Sequence, residues 1–240
     1  MPNREDGIQV LRRAAAALDE IALALVRLSA LAVAIPEVRE LDINPLLADD
    51  KGVIALDARI RVADAKATPR KAMSIRPYPR AWVRREALPR LGPVLVRPIR
   101  PEDEVLYEDF LARVRPEDMR MRFFVARPDL SHRFIARLTQ IDYAREMAFV
   151  AIDEAAGSLL GVARLAADPA YTRAEYAVLL ASDLKGRGLG WHLMQRLMDY
   201  ARAEGLAEIH GEVLTENLTM IRMCKELGFR IEAIADDPTV

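Results

Sequence analysis

The sequence predicts a mixed α/β fold of the α+β type, and three observations predict it. From residue 94 to the end, short strand-like and helix-like segments alternate. Within that region a strand runs through a turn with three glycines into a helix, over residues 174–204. Residues 1–65 open instead with a long Ala/Leu-rich helix, followed by two strand-like runs.

The first helix is expected over residues 9–33. Its apolar run, 21–35, follows Arg12 and Arg13 and so invites comparison with a signal peptide. Asp19, Glu20 and Arg27 interrupt it, and its 15 residues fall short of the roughly 20 that span a bilayer. A buried helix of a soluble domain is therefore expected. Residues 37–47 and 53–62 read as strands joined by an Asp49-Asp50-Lys51-Gly52 turn. Residues 66–93 carry eight lysines and arginines against the single acid Glu86, with prolines at 69, 77, 79 and 89. Proline removes backbone donors and fixes φ, so this stretch reads as a basic linker or surface arm.

The third region, 94–240, begins with a strand at 94–99. Helices follow at 101–114, which starts on a proline as helices tolerate, and at 116–124 and 131–140. Residues 147–152 and 159–166 form a hairpin, 174–181 a strand and 188–204 a helix. A strand at 209–214, a helix at 217–227 and a strand at 229–234 complete the order.

With 240 residues the chain accommodates two small domains. A net charge of −1 supplies no global field toward nucleic acid or membrane. The single cysteine, Cys224, excludes an intrachain disulfide and a four-cysteine zinc site. The three histidines (His132, His192, His210) show no ligand spacing, so no metal is expected, and a reducing cytoplasm suits the composition.

The sharpest local signal is Lys185-Gly186-Arg187-Gly188-Leu189-Gly190, between a strand and a helix. Glycines let the backbone approach an anion, and the helix that follows offers free N–H groups and the positive end of its dipole. That combination binds pyrophosphate without metal. Alone, such a turn is also a structural corner or part of a dinucleotide site. The spacing is not Gly-x-Gly-x-x-Gly, and no Lys-Ser/Thr pair follows the glycines.

Residues 185–190 resemble motif A of the GNAT superfamily of N-acetyltransferases, with lysine in first place. The preceding Glu175-Tyr176-Ala177-Val178-Leu179-Leu180 is similar to that family's fourth strand, and Asn217…Leu227-Gly228-Phe229 to its motif B. The resemblance covers about residues 94–240. It implies a central, mostly antiparallel sheet split between its fourth and fifth strands, with acetyl-CoA in the split. Backbone groups of Val178 and Leu180 would pair with the pantetheine arm. Lys185, Gly186, Arg187, Gly188, Leu189 and Gly190 would hold the pyrophosphate, and Asn217 would reach the pantetheine. Asn217 also reads as a helix N-cap, a compatible role.

Attack on a thioester needs a neutral amine, which a lysine with a pKa near 10.4 supplies about once in a thousand near neutral pH. A base is therefore required. Glu175 is the candidate, on a largely apolar strand that would raise its pKa; otherwise it is a solvent-facing strand residue. Many family members place a tyrosine, as acid for the departing thiolate, four residues before the motif B glycine. Here Cys224 stands there, either a proton donor or a buried core thiol.

Segments at 95–103, 121–124 and 138–143 look like those of the bacterial protein lysine acetyltransferases, which couple a GNAT domain to a region related to NDP-forming acyl-CoA synthetases. Residues 40–46 and 55–60 are similar to the last part of the ATP-grasp domain of such synthetases. In ATP-grasp enzymes the residues matching Asn44 and Asp57 hold Mg²⁺. The glycine-rich loop and adenine lobe of that fold are absent from this sequence, so these two are expected as packed remnants. The resemblance thus divides the chain into an ATP-grasp remnant (1–65), a linker (66–93) and an acetyltransferase domain (94–240) that stops where a seventh strand is usual. It implies a protein substrate, an AMP-forming acyl-CoA synthetase. A small-molecule amine acetyltransferase and a non-catalytic CoA-binding regulatory fragment are the alternatives.

Overall fold

The structure, a computed structural model, describes residues 4–35, 37–49, 52–63, 76–125, 130–233 and 238–240. The chain divides into two compact units, Met1–Pro77 and Tyr78–Val240.

In the first unit, α1 (Arg4–Ala34) sets a half-buried stripe of Ile21, Ala24, Leu28 and Leu31 against a hairpin of β2 (Leu46–Asp49) and β3 (Gly52–Ala55). The three- and four-residue spacing of that stripe is the helical period. The expected fully buried helix is not what forms. Leu18, Leu25 and Val26 are 60% or more exposed, because one stripe alone faces the hairpin. No helix among the described residues is long and apolar enough to cross a membrane. The two expected strands are each broken in two. β1 (Val38–Ile43) pairs with β4 (Ala58–Val62) and β2 with β3, both antiparallel. The break falls at Pro45, which has no N–H for the ladder. Across it Asn44 N–H donates to Asp57 C=O (3.2 Å) and Leu56 N–H to Pro45 C=O (3.1 Å), so Asn44 and Asp57 lie opposite one another.

The second unit begins earlier than residue 94. Of the expected linker, residues 66–75 lie outside the described residues, but the part from Tyr78 is folded. β5 (Arg84–Leu88) pairs antiparallel with β6 (Gly92–Pro98) at the edge of the main sheet. Glu86 contacts His192 Nε2 at 2.6 Å and also meets Arg196 on the long helix, while Trp82 packs edge-on to Tyr200 at 5.3 Å. Basic residues and prolines concealed an edge strand whose charges are used in cross-links.

The remaining elements are α2 (Glu104–Ala112), α3 (Pro116–Phe123), α4 (His132–Thr139), β7 (Glu146–Asp153), β8 (Leu159–Ala167), β9 (Arg173–Leu180), α5 (Leu189–Glu204), β10 (Glu208–His210) and α6 (Leu218–Glu226). The sheet order is β10-β9-β8-β7-β6-β5, antiparallel throughout except for the parallel pair β9–β10. Side chains alternate between the two faces of a strand. Phe149, Leu165, Ala174 and Tyr176 share the face covered by α5. Glu146, Arg164, Glu175 and His210 share the other, toward α2, α3 and α4.

At the C-terminus the expected strand at 209–214 ends at His210. Residues 229–233 form no strand, although Phe229 and Ile231 pack on the core. The terminal residues pair there instead: Val213 and Val240 exchange two N–H···O=C bonds of 2.9 Å, and Leu214 bridges Thr239.

Candidate active site

β9 and β10 stay together for three residues, Arg173 with Glu208, Ala174 with Ile209 and Glu175 with His210, and then part. Gly211 lies so close to the Tyr176 ring that a Cβ would sit 2.6 Å from it, so glycine is required where the separation starts. From Tyr176 to Leu180 β9 has β8 on one side and, among the described residues, no strand on the other. The alternation of backbone groups decides what that free edge presents. Arg173 C=O accepts from Asp168 N–H (2.9 Å) and Ala181 N–H donates to Leu160 C=O (3.0 Å), both toward β8. Thr172 C=O accepts from Ala207 N–H (2.9 Å) on the opposite side. Even-numbered residues therefore turn N–H and C=O away from β8, which sets the groups of Val178 and Leu180 on the open edge.

At the far end of that edge the chain turns into α5. Gly186 and Gly188 have φ of 73° and 90°, and a Cβ at either would meet nothing within 4 Å. Glycine is needed there for conformation rather than for space. At Gly190 the reason is packing, since a Cβ would lie 3.3 Å from Leu180 Cδ1. The first bond of α5 runs from His192 N–H to Gly188 C=O (3.0 Å), so the amides of Leu189, Gly190 and Trp191 have no helical acceptor. They point out of the helix start at the mouth of the split. That is the donor set a pyrophosphate requires.

Two ties that sequence reading missed hold this mouth. Asp118 on α3, 7% exposed, takes Lys185 Nζ and Ser182 Oγ on the β9 side. Burial opposes its ionisation, but the hydrogen bonds from Lys185 and Ser182 prevail and hold it below the usual carboxylate range. Two residues on, Arg120 contacts Glu216, which follows β10. The ammonium of Lys185 is thus spent on anchoring the turn to α3, while the turn's free amides remain available. Asp118 lies 67 residues from Lys185 in the chain, so no local pattern pairs them.

Glu175 stands at the last paired position of β9, at the apex of the split. It is exposed, so the apolar enclosure expected around it is absent. Its cationic neighbour is Arg122 on α3. Burial first, and Arg164 next, lower that guanidinium's pKa, and Glu175 works the other way. Asn217 caps α6: its Oδ1 accepts from Met220 N–H at 3.2 Å, leaving its NH₂ group for another partner. Cys224 is 1% exposed and lies 3.0 Å from Tyr176 Oη. Burial pushes the thiol's pKa up, against the opposing bond from Tyr176, as suits a core residue. Among the described residues no three His, Cys, Asp or Glu side chains gather as a metal site.

The sheet thus opens along one strand edge, with free amides at its mouth and a carboxylate at its apex. Comparison with known proteins gives the family. Residues 111–229 match the acetyltransferase (GNAT) family, and residues 7–62 match an ATP-grasp domain. An acetyltransferase of Pseudomonas aeruginosa is 35% identical over 148 residues, 61% of this chain and 80% of the relative. The acetyltransferase Pat of Mycolicibacterium smegmatis is 33% identical over 92 residues, 38% of this chain; the match spans 28% of that longer relative. The solved GNAT domain of S. lividans PAT superposes with a TM-score of 0.62 at 27% identity, over 68% of this chain and 96% of that one. The chain belongs to the GNAT family and is an acetyl-CoA-dependent N-acetyltransferase.

Proposed function

We propose that the protein transfers an acetyl group from acetyl-CoA to a lysine ε-amine of another protein, an AMP-forming acyl-CoA synthetase, with Glu175 as general base. The observation that carries the catalytic part is the position of Glu175 at the last rung before β9 and β10 part. A ligand held at the Gly186, Gly188 and Gly190 turn and extended along Val178 and Leu180 runs toward that carboxylate. Acetyl-CoA supplies the acetyl group as an activated thioester. The chain's own residues do the rest: the amides of residues 186–190 take the pyrophosphate, backbone groups of Val178 and Leu180 orient the pantetheine, and the free NH₂ of Asn217 adds a donor. Glu175 removes the proton that keeps the acceptor amine unreactive.

The acceptor rests on two supports. One is the likeness to bacterial protein lysine acetyltransferases at residues 95–103, 121–124 and 138–143. The other is the ATP-grasp match at 7–62, the kind of region those enzymes carry. A second reading, acetylation of a small amine, has its own support. The L-methionine sulfoximine/L-methionine sulfone acetyltransferase of Pseudomonas aeruginosa is 37% identical over 57 residues, a third of that protein. Labelled acetyl-CoA, a purified AMP-forming acetyl-CoA synthetase and a panel of small amines including methionine sulfone separate the two. Label on a synthetase lysine is the expected result; label on small amines alone overturns the assignment.

The turn has its own test. Gly188→Ala forces an L-residue into the left-handed region and is expected to destabilise by about 1–2 kcal/mol. The same change should weaken CoA binding, measured by calorimetry. An unaltered Kd would remove the turn from the cofactor site.

A further inference from the structure

The residue across from Glu175 has chemistry of its own. His210 is the Cα partner of Glu175 in the parallel pair β9–β10. Neighbouring strands lie about 4.8 Å apart, and partnered residues carry their side chains on the same face. The two side chains therefore leave the sheet at neighbouring positions on the face toward α2, α3 and α4, at the apex of the split, with no hydrogen bond or ion pair between them. His210 Nδ1 is buried and has no hydrogen-bond partner among the described residues. Leaving such an atom unpaired costs stability that an apolar side chain at the same place would keep. Glu175 likewise has no hydrogen bond or ion pair among the described residues.

The other charges around the imidazole already have partners. On the adjoining strand Arg173 is held by Glu208 at 2.7 Å. Arg230 and Glu232, from the segment after α6, pair at 2.8 Å, and Arg202 on α5 pairs with Asp199 at 3.0 Å. On the shared face Arg164 is held by Glu146 at 2.9 Å, and Arg122, over the Phe123 ring at 4.7 Å, faces Glu175 as its cationic neighbour. Glu212, beyond the strand, is exposed. These pairings leave Glu175 as the carboxylate opposite His210.

We propose that His210 is the positioning and proton-relay partner of Glu175, a role that rests on Glu175 being the base. The acceptor ammonium gives one proton to a Glu175 carboxylate oxygen; the freed amine attacks the thioester carbonyl, a C–N bond forms as the C–S bond breaks, and the CoA thiolate leaves as thiol with the second proton of the attacking nitrogen. Glu175 then passes its proton through an intervening water to an imidazole nitrogen, and the imidazolium releases it to solvent. Glu175 is thereby returned as carboxylate for the next turnover. Imidazole is the side chain that takes up and gives back a proton near neutral pH.

The test needs no known acceptor. The chain has three histidines, so ring resonances of the ¹⁵N-labelled full-length protein are assigned with His210→Gln. In Glu175→Gln the His210 ring ¹⁵N shifts at fixed pH are expected to move, because an amide replaces the carboxylate across the strand pair. Those of His132 and His192 should hold. Unmoved His210 ring shifts overturn the proposal. With an acceptor that takes label, His210→Gln should lower kcat about tenfold while KM for acetyl-CoA stays within about twofold. It should also change the shape of the pH profile of kcat/KM. Wild-type kcat and pH profile in His210→Gln, beside an inactive Glu175→Gln, defeat the relay alone. Full turnover in Glu175→Gln defeats the assignment of the base on which it rests.

Discussion

Glu175→Gln is expected to lower turnover by about 10²- to 10⁴-fold, the usual contribution of a positioned general base, with acetyl-CoA affinity retained. The substitution keeps the shape of the side chain and removes its capacity to accept a proton from an ammonium. Affinity should survive because the proposed cofactor contacts are backbone groups of Val178, Leu180 and the Gly186, Gly188 and Gly190 turn, none of which the change touches. Nor does fold stability depend on this carboxylate. It is exposed and has no ion pair among the described residues. Single-turnover transfer beside CoA calorimetry checks both halves. Turnover within a few-fold of wild type would make the carboxylate a surface group and transfer the burden of deprotonation elsewhere.

The second large effect is on stability. Asp103→Ala should destabilise the second unit by about 3–5 kcal/mol, the cost of leaving a buried charge without its partner. Arg97 on β6 and Asp103 are 8% and 4% exposed and meet in a bidentate pair, with Nη1 at 2.7 Å and Nη2 at 2.5 Å. Asp103 also accepts Arg100 N–H at 2.7 Å, closing the turn that starts α2. Burial works against the guanidinium's charge, yet the carboxylate outweighs it and holds Arg97 above its ordinary pKa. Losing Asp103 therefore strands a cation beneath α2 and opens a helix start. For a unit of this size the midpoint of thermal unfolding should fall by about 10 °C. Replacing both members with apolar residues should cost much less, since the desolvation penalty goes with the charges. A fall of under about 2 °C for the single variant would show that water reaches Arg97 and pairs it.

Local pattern carried the reading where the chain's own neighbours decide its shape. The 147–166 hairpin and the 174–204 strand, turn and helix were legible because alternation, helical period and alternate glycines act within a few residues. The positive φ at Gly186 and Gly188 follows from the same short-range sterics. Pattern failed where partners are remote. Arg84 to Leu88 looked like a basic connector because its cross-links, Glu86 to His192 and Arg196, lie over a hundred residues away. Residues 229–233 have strand-like composition, but Val240 takes the backbone of Val213 and they pack as coil. The helix at 9–33 was expected buried because its run 21–35 is the most apolar in the chain. Composition does not say how many of its faces have something to pack against.

By itself the sequence determined the mixed α/β class, the glycine turn before α5 and Glu175 as the carboxylate on the strand leading to it. Each follows from spacing and side-chain type, which act over a few residues. Only the tertiary structure decided which edge of β9 is free, that Lys185 is anchored by Asp118, and that Glu175 faces His210 at the parting of two strands. Those depend on register between segments distant in the chain. A slip of one residue would reverse every facing that the site relies on.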